Sequence, residues 1–137
     1  MLKLFAALGS INGFLAVALG AFGAHGLRGK IDDQLLSSYQ TGVQYQMFHA
    51  AALLIIAFLS TKLPSSGLVA GAGWALFIGI VLFSGSLYVM ALTGIRSLGM
   101  ITPLGGISFL IGWTLLLLAA LKSLLVFSVQ AMRKGRH

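Results

Sequence analysis

The sequence predicts an all-α membrane protein: a four-transmembrane-helix bundle with an amphipathic surface helix between its first and second spans. Three observations carry this. Hydrophobic residues make up 58% of the 137-residue chain and charged residues only 8%, against about 25% charged in soluble domains. Four apolar runs, at about 4–24, 45–61, 68–92 and 104–121, contain no acidic or basic residue. The bases stand at the ends of those runs: Lys3, Arg28, Lys30, Lys62, Arg96, Lys122, Arg133, Lys134 and Arg136. A small soluble domain must clothe a large surface in polar groups, and two acids with nine bases cannot do so.

The runs are helices because a lone strand would leave its backbone polar groups unpaired in hydrocarbon. A span needs about 20 residues, so the second and fourth runs are short and the third has length to spare. The first is longer than the roughly 7–15-residue apolar core of a cleaved leader and is kept as a span. The whole chain forms a single membrane domain. The 62–67 connection, Lys-Leu-Pro-Ser-Ser-Gly, is a tight turn that makes the second and third spans an antiparallel pair. Pro103 suits the first turn of the fourth helix. Lys122, about 27 Å further along by helix rise, reaches the opposite interface and snorkels.

Residues 25–44 form the one long connection. Ile31, Leu35, Leu36, Tyr39 and Val43 share a face opposite Asp32, Asp33, Ser37, Ser38 and Gln40. That pattern predicts an amphipathic helix over 31–43 on the membrane surface, able to run into the second span because only Gly42 intervenes. The two aspartates suit its N-terminal end.

The net charge of +7 does not indicate nucleic acid, because the bases form no basic face with interleaved aromatics. Their distribution sets orientation. Lys3, Lys62, Arg133, Lys134 and Arg136 fall on one side, against Arg28, Lys30 and Arg96 on the other. Both termini are therefore expected in the cytoplasm of a cell with the chain in its inner membrane. With no cysteine, thiol chemistry, disulfides and thiolate metal sites are excluded.

Small residues recur on one face of the first helix at Gly9, Gly13, Ala16, Gly20 and Gly23, and on the fourth at Gly105, Ser108, Gly112 and Ala119. Such stripes let backbones touch, and close packing is the plainer reading beside that of a squeezed ligand. Asn12, in the middle of the first span, must find a hydrogen bond; Ser84, Gly85 and Ser86 are its expected neighbours.

The remaining polar residues, His25, Gln44, Gln46 and His49, are placed by this topology near the outer face, with the two imidazoles sharing a site. Two histidines at one interface can ligate a metal or haem iron. The plainer reading is that each bonds a carbonyl or glutamine and pins the surface helix.

Two segments carry a family resemblance: Gly20-Ala21-Phe22-Gly23-Ala24-His25-Gly26-Leu27 and Tyr39-Gln40-Thr41-Gly42-Val43-Gln44-Tyr45-Gln46-Met47-Phe48-His49-Ala50, with Thr102-Pro103-Leu104-Gly105-Gly106 opening the fourth helix. Together they resemble the DUF423 family across essentially the whole chain. The resemblance implies a small multi-pass membrane protein and directs attention to the same His and Gln residues; it supplies no catalytic residue.

Three functions remain to be weighed. The first is a structural or accessory subunit packing with itself or a larger membrane complex, its only other partner the lipid bilayer. The second is a small-solute transporter or channel, which proton coupling through a buried carboxylate does not serve here, since no span holds one. The third is a haem- or metal-binding protein using His25 and His49. The first is preferred, with no catalytic residue and no resident cofactor.

Overall fold

The computed structural model describes residues 1–64 and 66–136, and Ser65 of the 62–67 turn lies outside them. Four helices are long and apolar enough to cross a membrane: Leu2–Leu27, Asp33–Leu59, Gly67–Thr93 and Arg96–Lys134. In chain order α1 covers Leu2–Phe22 and closes with a π-helical turn, Gly23–Leu27. Next come α2, Asp33–Leu59, and α3, Ser66–Gly79. A second π-helical turn, Ile80–Ser84, joins α3 to α4, Gly85–Thr93, within one span. A 3₁₀ turn, Arg96–Met100, leads to α5, Thr102–Lys134.

The amphipathic helix expected over 31–43 is not a separate surface element. Its residues are the first turns of α2, which runs unbroken from Asp33 through Gly42. Asp32 caps it, its carboxylate accepting from the Gln34 backbone N–H at 2.7 Å. Gly42 does not break the helix because its missing side chain is needed for contact: a Cβ there would stand 3.0 Å from Tyr88 and 3.3 Å from Leu87. The apolar face of this segment packs inward, with Leu35, Leu36 and Tyr39 buried against Leu27, Leu87, Met90 and Ala91.

The second core cluster lies towards the other membrane face. There Phe5 of α1 and Leu53, Ile56 and Ala57 of α2 meet Val69, Ala72, Leu76 and Ile80 of the third span and Phe109 and Ala119 of α5. The middle two spans form the centre of the bundle, with α1 and α5 flanking them, and the flanking helices are the less buried.

Glycine sets one helix end and a close crossing. Gly94 takes φ 75°, and its N–H bonds the Met90 carbonyl to close α4, a conformation that costs other residues strain. Gly105 lies so close to the third span that a Cβ would collide with the Phe83 backbone nitrogen.

The last helix is longer than the 104–121 run predicts. It continues through Lys122 to Lys134, and from Leu124 onward its apolar side chains are exposed, Leu125 at 69% and Phe127 at 70%. Hydropathy ends a span where the first base appears, but Ser123 to Lys134 contain no helix breaker.

Candidate functional site

Asn12 and Gln46 lie at the middle of their helices. Asn12 is 10 residues from either end of α1 and Gln46 is 13 from either end of α2, about 15 and 20 Å by helix rise. Both are almost fully buried, at 5% and 4% exposure. Their amides bond directly: Gln46 Nε2 donates to Asn12 Oδ1 at 3.0 Å, and Asn12 Nδ2 donates to the Leu8 carbonyl at 2.8 Å. Tyr88 of α4 completes the chain, its hydroxyl donating to Gln46 Oε1 at 2.7 Å. Three spans are thus joined by amide and phenol groups in a setting where an unpaired polar group is costly. Ser84 joins the same region by donating to the Gly42 carbonyl at 2.7 Å, and Tyr39 donates to the Leu19 carbonyl.

Asn12 therefore finds Gln46 rather than the expected Ser84-Gly85-Ser86 segment. Ser86 bonds Thr102 at 2.6 Å instead. Hydropathy gives no reason to pair the two amides, because it starts the second span at residue 45 and sets Gln46 at an interface. Tyr88, unremarked in the third apolar run, is the other member that sequence reasoning missed. A phenol within a span was the signal available.

His49, about one turn along α2 from Gln46, forms a second polar site towards α5. It is 3% exposed. Nδ1 lies 2.8 Å from the Tyr45 carbonyl, and the indole N–H of Trp113 donates to Nε2 at 3.1 Å. A carbonyl can only accept and an indole N–H can only donate. The ring is therefore neutral with its proton on Nδ1, and both nitrogens are engaged. Phe109 stacks on it at a centroid distance of 3.7 Å and 7° between planes. Neither Trp113 nor Phe109 stood among the sequence candidates.

The shared His25–His49 site does not form. The contact of Gly9 with Ala50 and the Asn12–Gln46 bond place His49 beside the start of α1. His25 is 16 residues beyond Gly9, about 24 Å along the axis, and exposed. Metal bonds are about 2 Å long, so the haem or metal reading that used both rings fails. The physical cause is the continuity of α2, which carries Gln44, Gln46 and His49 to membrane depth instead of to the outer face. No group of three or more metal-ligating side chains occurs among the described residues. Gln44 is the exception among the three candidates at depth: it points outward, exposed, beside Tyr45 and Phe48.

The glycine stripes divide. Gly9, Gly20 and Gly23 face α2, where a Cβ would meet Leu54, Val43 and Tyr39, and Gly112 faces Leu76. Gly13 has nothing within 4 Å of its would-be Cβ among the described residues, so it contributes no close packing inside the chain.

At the N-terminal end of α2, Arg96 bonds Gln34 at 3.0 Å and lies 3.5 Å from the Asp32 carboxylate. Both charged groups are more than half exposed, so this clasp between α2 and the 3₁₀ turn contributes little.

A four-span bundle with a buried amide–phenol chain and no assembled catalytic group among the described residues is a small multi-pass membrane protein. The chain belongs to the family described as "Protein of unknown function (DUF423)", whose model matches residues 19–106. It is 57% identical over 123 residues to the UPF0382 membrane protein YwdK of Bacillus subtilis, covering 90% of this chain and all of that one. It is 52% identical over 121 residues to the UPF0382 membrane protein SAB0533 of Staphylococcus aureus, covering 88% and 98%. The UPF0382 membrane protein SSP2132 of Staphylococcus saprophyticus is 47% identical over 121 residues, covering 88% and 99%. No solved structure matches the chain.

Proposed function

We propose that the chain is a structural or accessory subunit of the cell membrane that packs with itself or with a larger membrane complex through the α2 face carrying Gln44. One observation supports this reading. Gln44 lies two residues from Gln46, about 3 Å along the axis, yet its amide faces outward with no hydrogen-bond partner among the described residues. An amide in hydrocarbon gains from a partner on a neighbouring helix, by about 0.6–2 kcal/mol. Tyr45 and Phe48, 42% and 62% exposed, flank it with aromatic surface.

In this reading both termini are cytoplasmic. Lys3, Lys62 and Lys122, with Arg133, Lys134 and Arg136, gather on the side of the α2–α3 turn, as the positive-inside rule favours.

The test is association in bilayers, by energy transfer between labelled copies and by recovery of co-purifying membrane proteins. The Gln44→Leu variant is expected to associate about three- to tenfold more weakly than the native chain. A native chain that is monomeric and recovered alone, or a variant that associates equally well, contradicts the proposal.

A further inference from the structure

We propose that the cleft between α1 and the third span is a binding site for a neutral, lipid-soluble carbonyl compound of the quinone type. The inference goes beyond the accessory reading and uses a different face from Gln44. The cleft encloses about 400 Å³, within the range of about 300–1,000 Å³ usual for small-molecule sites. Its mouth faces the membrane, because the lining residues Ile11 and Val81 are 56% and 54% exposed on the outer surfaces of α1 and the third span.

Its floor is the amide pair. Asn12 and Gln46 each carry two N–H donors. Each uses one within the chain, which leaves one per residue with no acceptor among the described residues. Their two side-chain oxygens are already engaged or turned to a donor: Asn12 Oδ1 accepts from Gln46, and Gln46 Oε1 accepts from Tyr88. A buried amide oxygen that keeps one free lone pair is commoner than a buried N–H with no acceptor, so the unmet groups of the floor are its donors, and the complementary ligand atom is an acceptor oxygen. The rest of the lining is apolar, with Phe77 and Tyr88 supplying aromatic rings.

Depth selects among acceptor-bearing molecules. The ester carbonyls of a phospholipid are tied to headgroups at the edge of a hydrocarbon core about 30 Å thick. Asn12 stands 10 residues from either end of α1, so its amide lies far from that edge. A molecule that brings a carbonyl there must be uncharged and free of a headgroup, which describes a quinone and excludes a phospholipid.

The third span is shaped for this cleft. Its π-helical turn, Ile80–Ser84, supplies Ile80, Val81 and Ser84 to the lining, and single π turns within helices concentrate at functional sites. Gly85 follows directly, lines the cleft, and has nothing within 4 Å of a would-be Cβ among the described residues. Space is left open where a side chain would have filled it.

The probe is menadione, measured by equilibrium dialysis against the full chain in nanodiscs of zwitterionic lipid, with empty nanodiscs as the reference. Saturable binding above the reference is expected, and naphthalene, of similar shape but without carbonyls, should bind on the order of tenfold more weakly. Gly85→Leu starts from a Cβ with open space around it, occupies the cleft, and should weaken menadione binding by at least the same factor while keeping the native melting temperature. If that variant does not fold, Val81→Trp at the mouth decides, with the same loss expected. Uptake no greater than in empty nanodiscs, equal binding of naphthalene, or undiminished binding by the folded variants overturns the site.

Discussion

At the residue scale, His49 is a neutral imidazole with both nitrogens spent on protein partners. Trp113 supplies the donor and Tyr45 the acceptor, so the ring acts as a strut between α2 and α5. Trp113→Phe keeps an aromatic ring but removes the donor, leaving Nε2 unpaired in a buried site. The expected cost is about 1–3 kcal/mol, read as a lower melting temperature in detergent; an unchanged temperature would mean that the bond carries no load. The two glycine stripes give a sharper contrast. Gly105→Ala drives a methyl into the Phe83 backbone and should cost about 1–3 kcal/mol or more. Gly13→Ala meets open space and should stabilise α1 slightly, by up to about 1 kcal/mol. Both glycines obey the same spacing rule, and spacing reports a face, not what stands opposite it. The stripe was therefore legible in the sequence, while the partner of each glycine required the register between helices.

At the scale of elements, α2 governs the arrangement. Its spans of polarity and hydropathy change near residue 44, and a hydropathy reading cuts it there. The backbone does not, because Gly42 is a contact point with α4 and not a helix end. Cutting the helix at 44 placed Gln46 and His49 at an interface and paired His49 with His25; restoring its continuity moves both to depth. The amphipathic face of 31–43 was legible, as was the burial of Leu35, Leu36 and Tyr39, but the surface it packs against was protein. The prediction at this scale concerns α5. Removing residues 124–137 should leave the bundle intact, because the described side chains beyond Ser123 are exposed. Thermal unfolding of the chain ending at Ser123 should fall within a few degrees of the native value. A large loss would show that the extension packs on the bundle.

At the scale of the molecule, the chain is held by two polar ties about one turn apart on α2, one towards α1 and α4 and one towards α5, embedded in apolar packing. Composition and run lengths made the four spans plain, because the bilayer permits little else. The ties were not plain, because hydropathy treats a glutamine in a polar third of a helix as a boundary signal. Orientation is independent of them. Cysteines introduced at Ser37 and at Lys62, on opposite ends of α2, should label from outside and inside respectively in intact cells; the reverse pattern would invert the topology.

The joining of the three spans through Asn12, Gln46 and Tyr88 is the claim on which the polar cleft rests. It is tested most directly by a double-mutant cycle in bicelles between Asn12→Leu and Gln46→Leu, with reversible unfolding as the readout. Direct bonding predicts a coupling of about 0.6–1.7 kcal/mol, with the double variant less damaged than the sum of the two singles. Strict additivity would contradict the account, because two amides that do not touch have nothing to share.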